Sequence, residues 1–266
     1  MKHWNLSFFS IYTEYAHRIT KDPSNMTQEL AKELAPTGTL RAGINLSNYL
    51  LVTGKSPSGE PEGVAPDMAR AIADRLGVKL KLVPFKTAGE LADAADRDVW
   101  DIGLIGAEPA RAEKITFSTA YVEIEATYLV PAGSALQTLD EVDRAGVRIA
   151  VMARGAYDLW LVRNIQHAQL VRADSGDAAI DLFFNDQLEA LAGLRPGLLS
   201  AIGKVPGARI LDGHFTAVQQ AVGTAKANVA GAAFLQRFVA EAKASGLVAQ
   251  LIARHHVKGL SVAPAG

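Results

Sequence analysis

From Asp98 to Tyr121 the chain reads Asp-Val-Trp-Asp-Ile-Gly-Leu-Ile-Gly-Ala-Glu-Pro-Ala-Arg-Ala-Glu-Lys-Ile-Thr-Phe-Ser-Thr-Ala-Tyr. Ile102 to Ile105 has the pattern of a short buried strand, and it opens into a turn of small residues at Gly106 and Ala107. Glu108 then takes an N-cap position, Pro109 the first position of a short helix, and Arg111 its first turn. Proline suits that first position because the donor it lacks would find no intrahelical partner there. A positive charge in a first turn opposes the helix macrodipole, so Arg111 does nothing for helix stability. Arg111 therefore has two readings. It pairs with Glu108 or Glu113 at the surface, a common and weak arrangement, or its forked donors hold a planar carboxylate.

Composition narrows the function. A chain of 266 residues, 49% of them hydrophobic, suffices for one large domain or for two lobes with separate cores. Lys plus Arg (27) nearly balance Asp plus Glu (28) and form no long basic run, so nucleic acid and anionic membranes are not expected partners. Cysteine is absent, which excludes disulfides, thiol catalysis and cysteine-ligated metals. The apolar stretches are too short and interrupted to span a bilayer. No P-loop, Gly-x-Gly-x-x-Gly, Gly-x-Ser-x-Gly or His-Glu-x-x-His occurs. The histidines are scattered apart from His255-His256 and show no metal-ligand spacing, so no cofactor and no metal is expected. At the N-terminus, Lys2 and the apolar residues after it resemble a secretory signal only in outline. Asn5, Ser7, Ser10, Thr13 and Glu14 interrupt them and no small-x-small cleavage site is present. Residues 1–25 are read as a loosely docked extension, followed by a short helical pattern (Leu30, Leu34) that Pro36 ends.

Strands and helices alternate along the rest. Leu40, Ala42 and Ile44 predict a strand, Pro66 to Leu76 a helix closed by Gly77, and Val78, Leu80 and Leu82 a second strand. Thr87-Ala88-Gly89-Glu90 is a capping box that opens a helix running to about Ala95. The order restarts with a strand at Arg148 to Met152, a helix from Ala156 to His167 and a strand at Leu170 to Arg172. A helix from Ser175 to Phe184 and a strand at Leu188 to Ala192 complete it. Such alternation means parallel strands with helices on both faces, and its repetition predicts two lobes. Tyr121 to Val130 and Ala217 to Gly223 are read as strands linking them, with helices from Ala230 to Ala244 and Leu247 to Arg254 closing the chain. The expected division is an N-terminal extension (1–37), lobe 1 (38–128 plus 224–266) and lobe 2 (129–223).

Glu108-Pro109-Ala110-Arg111 and Ile115-Thr116-Phe117-Ser118-Thr119-Ala120-Tyr121 resemble the signature of the family 3 extracellular solute-binding proteins, the amino-acid-binding components of ABC importers. That signature has a threonine where this chain has Glu108. Gly38-Thr39-Leu40-Arg41-Ala42-Gly43 is similar to the family's opening strand and Gly63-Val64-Ala65-Pro66-Asp67-Met68-Ala69 to the start of its first helix. The resemblance runs from about Gly38 to Leu251. It implies an α/β, two-lobed periplasmic-binding-protein-like (type II) fold with a hinge of two crossing strands. It also implies a monomer that binds an amino acid or related carboxylate, serves an ABC permease and works in the periplasm. The N-terminus does not support export, and a cytoplasmic sensor of the same fold is the alternative.

The family's arginine grips the ligand carboxylate, and Arg111 is the matching residue; the turn before it, with Gly106 and Ala107, is shorter than the usual form. Asn45 and Asn48 come just after the first strand, close to where the family has an aromatic residue that stacks on the ligand; they are polar contacts or turn residues. Met152-Ala153-Arg154-Gly155-Ala156-Tyr157 ends a strand and opens a helix, so the backbone at Gly155 and Ala156 is a candidate anion site. The family's hydroxyl residue is Ala156 here, and Arg154 adds charge or faces solvent. Where family members place an aspartate for the ligand's ammonium, this chain has Leu194 followed by Arg195, which favours a ligand with more negative charge or no amine. Glu123, Glu125 and Thr127 share one face of a linking strand, and Glu125 either reaches the pocket floor or faces solvent. Gln219 and Gln220 on the second linking strand have the same two readings. Cyclohexadienyl dehydratases resemble these binders, and in that alternative Glu125 would be the acid and Arg111 the substrate anchor.

Overall fold

The computed structural model describes residues 30–203 and 206–265, so the extension read at residues 1–25 lies outside the described residues. Leu40, Ala42 and Ile44 alternate inward on β1 (Thr39–Asn45), as their spacing requires. A small hairpin, β2 (Gly54–Lys55) and β3 (Pro61–Glu62), leads into α1 (Val64–Leu76), which Gly77 ends in the left-handed conformation. β4 (Lys79–Phe85) comes next. The Thr87 side chain accepts from the Glu90 N–H to open α2 (Ala88–Asp93). β5 (Ile102–Gly106) is buried throughout, and β6 (Ile115–Phe117) precedes the long β7 (Val122–Val130).

The second unit repeats the scheme with β8 (Arg148–Met152), α3 (Ala156–Asn164), β9 (Gln169–Ala173), α4 (Gly176–Asn185), β10 (Ala190–Leu194) and α5 (Arg195–Ile202). β11 (Arg209–Ile210) and β12 (Thr216–Ala225) return the chain, and α6 (Val229–Ala244), α7 (Leu247–Arg254) and β13 (Ser261–Val262) close it. The expected elements recur with shifted edges. The helix after Glu108 is one 3-10 turn, Arg111–Glu113. α3 stops at Asn164 because the Asp143 carboxylate takes the N–H groups of Gln166, His167 and Ala168. β10 begins later than Leu188 because the Leu188 N–H is bonded to the Phe183 carbonyl in the turn that ends α4.

The main sheet runs β4-β1-β5-β12-β7-β10-β8-β9. Strands at each end pair in parallel, and β12 and β7 join the halves as an antiparallel pair from Thr216↔Ala126 to Gln220↔Val122. Four hydrophobic clusters cover the two faces of each half. On the first, β1, α1, α6 and α7 enclose Ile44, Met68, Ile72 and Val239, while Leu91, Trp100 and Ile105 pack on the other face. On the second, Ile149, Val151 and Leu161 lie on one face and Ala150, Phe183 and Leu191 on the other. Each crossing strand changes core within one residue run: Val122 packs in the first half and Ala126 in the second, as Val222 and Val218 do on β12. Leu30 and Leu34 pack in the first core, so residues 30–34 form part of that half instead of an appendage.

Gly63 shapes the start of α1. Its φ of 147° with ψ of −173° is a conformation open to glycine alone, and a Cβ there would collide with the Leu51 carbonyl. Gly63→Ala is expected to lower stability by at least about 1–3 kcal/mol, seen as a fall of several degrees in the thermal unfolding midpoint without loss of helical circular dichroism in the native state.

Candidate functional site

The carboxyl ends of β1, β5, β8 and β10 converge on a cavity of about 510 Å³ between the halves. Arg111 stands in its wall, 5% exposed. Its Nη1 donates to the Gly106 carbonyl at 2.7 Å, and its Nη2 crosses the cleft to the Arg154 carbonyl at 2.9 Å. No carboxylate lies within ion-pair distance of it among the described residues; Glu108 pairs with Arg163 instead, at 2.6 Å, and Arg111 makes no pair with Glu113 either. Desolvation pushes the guanidinium down to about 10, which leaves it cationic at neutral pH. Two of its five N–H groups are spent on carbonyls, so donors remain for the cavity.

Facing it is the start of α3. Gly155 is the N-cap, without a side-chain cap, and the first-turn N–H groups at Ala156 and Tyr157 have no partner within the helix. The approach is close: a Cβ on Gly106 would lie 2.9 Å from the Ala156 Cβ and 3.5 Å from Arg111 Nη1. Glycine at 106 therefore leaves room for the guanidinium beside the helix end. A buried cation and a helix N-terminus aimed at one space form a site for an anion.

Of the candidates read from the sequence, Asn45, Asn48, Arg111, Gly155 and Ala156 line the cavity. Four candidates do not. Ala107 lies outside it, its N–H bonded to the Gln219 carbonyl at 2.7 Å in the sheet. Glu125 is exposed on the outer face, where it binds Arg195 Nε at 2.6 Å and approaches His214 Nδ1 at 3.4 Å. Arg195 is held there by the same pair and by the Gly213 carbonyl, so neither residue reaches the pocket floor. Gln219 points the same way, donating to Glu123 at 2.9 Å. Period two on β12 then turns its neighbour Gln220 inward, buried and lining the cavity, its side chain without a hydrogen bond among the described residues. Tyr49 is a lining residue that sequence reasoning passed over. It stands one position past Asn48, at the mouth, with its hydroxyl against Gly197 of the opposite half. The remaining wall is largely aliphatic.

Charge pairs tie the halves together at the cleft edge. Arg154, with φ of 59°, sends its guanidinium to both Asp93 oxygens at 2.9 and 2.7 Å while its carbonyl receives Arg111. It therefore neither lines the cavity nor faces solvent freely. The Arg154 guanidinium holds the Asp93 carboxyl below the usual carboxylate range. The Arg163 to Glu108 pair is a second tie.

The family model described as bacterial extracellular solute-binding proteins, family 3, matches residues 40–258. Cyclohexadienyl dehydratase of Pseudomonas aeruginosa is 29% identical over 166 residues, 58% of this chain, and the match spans 61% of that protein's length. The ancestral amino acid-binding protein AncCDT-1, a precursor of cyclohexadienyl dehydratase, superposes with a TM-score of 0.68 at 21% identity, covering 85% of this chain and 99% of that one. The amino acid ABC transporter substrate-binding protein AbpA from Streptococcus pneumoniae, bound to L-arginine, does so with a TM-score of 0.68 at 19% identity, covering 85% and 98%. At these identities the two structures speak for the fold, and the fold is the two-lobed one.

Exposed ion pairs such as Arg154 with Asp93 are weak singly and screened by salt. Arg154→Ala is expected to widen the unliganded protein, read as a larger radius of gyration in small-angle scattering. Added salt should move the wild type in the same direction and the variant less.

Proposed function

This chain belongs to the bacterial extracellular solute-binding proteins, family 3, and on that premise we propose that it captures a small carboxylate-bearing solute, an amino acid or related organic acid, between its lobes for an ABC-type permease. The observation that carries this reading is Arg111, a buried guanidinium in the cavity wall that has no carboxylate within ion-pair distance among the described residues. An uncompensated buried charge is unfavourable. A ligand carboxylate would complete it with bidentate geometry and accept from the start of α3. Because Arg111 belongs to one half and Ala156 to the other, such an anion touches both and binds the closed arrangement better than an open one. The β7–β12 pair is the hinge in this mechanism. An import role puts the protein on the outer side of the permease's membrane.

A second reading, a dehydratase-like activity, draws on the 29% identical relative. General-acid work needs a carboxyl beside the anchored substrate. Glu125 is outside the cavity, and the carboxylate that lines it, Asp177, stands at the exposed mouth. Binding without conversion fits this arrangement better.

A thermal-shift panel of amino acids and small organic acids identifies a ligand, because binding to the native state raises stability by mass action. Arg111→Ala is expected to weaken that ligand by about 2–5 kcal/mol in calorimetry, and Arg111→Lys to recover only part, since lysine lacks the planar fork. A change below twofold would remove Arg111 from the site. Ligand should compact the protein in scattering and be recovered chemically unchanged; product accumulating over time would favour the dehydratase.

A further inference from the structure

The wall that the second half presents to Arg111 has a chemistry that narrows the ligand. Met152, Ile180, Leu191, Leu194, Leu198 and Val218 make it aliphatic. The polar groups inside are neutral. Asn45 (9% exposed), Asn48 (7%) and Gln220 (5%) are buried amides. The Asn45 oxygen already accepts from Ser47 and the Asn48 oxygen from the Leu50 N–H, which leaves both amide nitrogens as donors. Tyr157 supplies a hydroxyl. The one carboxylate among the described lining residues, Asp177, is exposed in the first turn of α4, beside Tyr49 at the mouth.

An α-ammonium is one carbon from its carboxylate, so it would be held next to Arg111. There it would meet a second positive charge and neutral amides, with no carboxylate to offset its desolvation. An apolar chain in the same position would be covered by the aliphatic wall and lose only contact with water. We propose that the ligand of this cavity is a monocarboxylate with an apolar body and no ammonium group, an inference that rests on Arg111 as the carboxylate anchor. The donors of Asn45, Asn48 and Arg111 then surround the carboxylate, and the aliphatic wall selects the body attached to it.

Matched probes test it: hexanoate against norleucine, 3-phenylpropanoate against phenylalanine, and 6-aminohexanoate for a distal cation, each titrated by calorimetry into the full chain. The expected result is that each amine-free acid binds at least about tenfold more tightly than its α-amino partner, and that acetate, lacking the apolar body, binds more weakly than hexanoate. Leu194→Asp adds a carboxylate at the N-cap of α5, a position where aspartate is favoured, so the variant should fold. It should reverse the preference within each pair. Norleucine or phenylalanine binding more tightly to the wild type overturns the inference, as does tighter binding of 6-aminohexanoate, which would assign Asp177 a cation. If those amines still need Arg111, the anchor stands and only the ligand class falls. Binding that survives Arg111→Ala, or no response to any of these carboxylates, overturns the anchor and the inference with it.

Discussion

Antiparallel pairing of β7 with β12 is the constraint on which the rest of the molecule depends. These strands carry the chain between two cores, and their residues change allegiance within a single run, from Val122 to Ala126 and from Val218 to Val222. Because side chains alternate along a strand, the same register that buries these apolar groups also turns Gln220 toward the cavity and Gln219 away from it. Slipping the register by one residue would exchange them and bring polar groups into both cores. The site's composition is therefore a consequence of how the hinge is packed.

The second organising feature is a cation kept dry. Arg111 has traded water for two backbone carbonyls, one from each half, and among the described residues for no carboxylate. The carbonyl from the opposite half belongs to Arg154, whose left-handed backbone lets its side chain turn back to Asp93. One residue thus orients the guanidinium and ties the cleft edge. Its backbone contact is sheltered from salt and its side-chain pair is not.

Much of this was visible in the residues themselves. The strand and helix periods placed β1, α1, β8 and α7, and Gly77 and Thr87 act as the caps their chemistry prescribes. Local reading left Arg111 between a surface ion pair and a carboxylate anchor, and its match to the family signature favoured the anchor; the helix expected around it is only a 3-10 turn. The helix start at Gly155 and Ala156 was legible because unpaired backbone donors arise from local structure alone.

Sequence could not decide where side chains on the crossing strands and at the ends of β10 point. Glu125 and Arg195 were each a plausible pocket charge when read alone; seventy residues apart in the chain, they find each other on the outer face and neutralise there. Gln219 and Gln220 are neighbours on a strand, where a one-residue choice is a choice of face, and only the register with β7 turns Gln220 to the cavity. Local chemistry determined which residues had an unsatisfied need, because propensity, capping and dipoles act within a few residues. Tertiary structure decided which of those needs are met by a partner and which stay open to a ligand, because charge pairing and burial depend on residues brought together from distant parts of the chain.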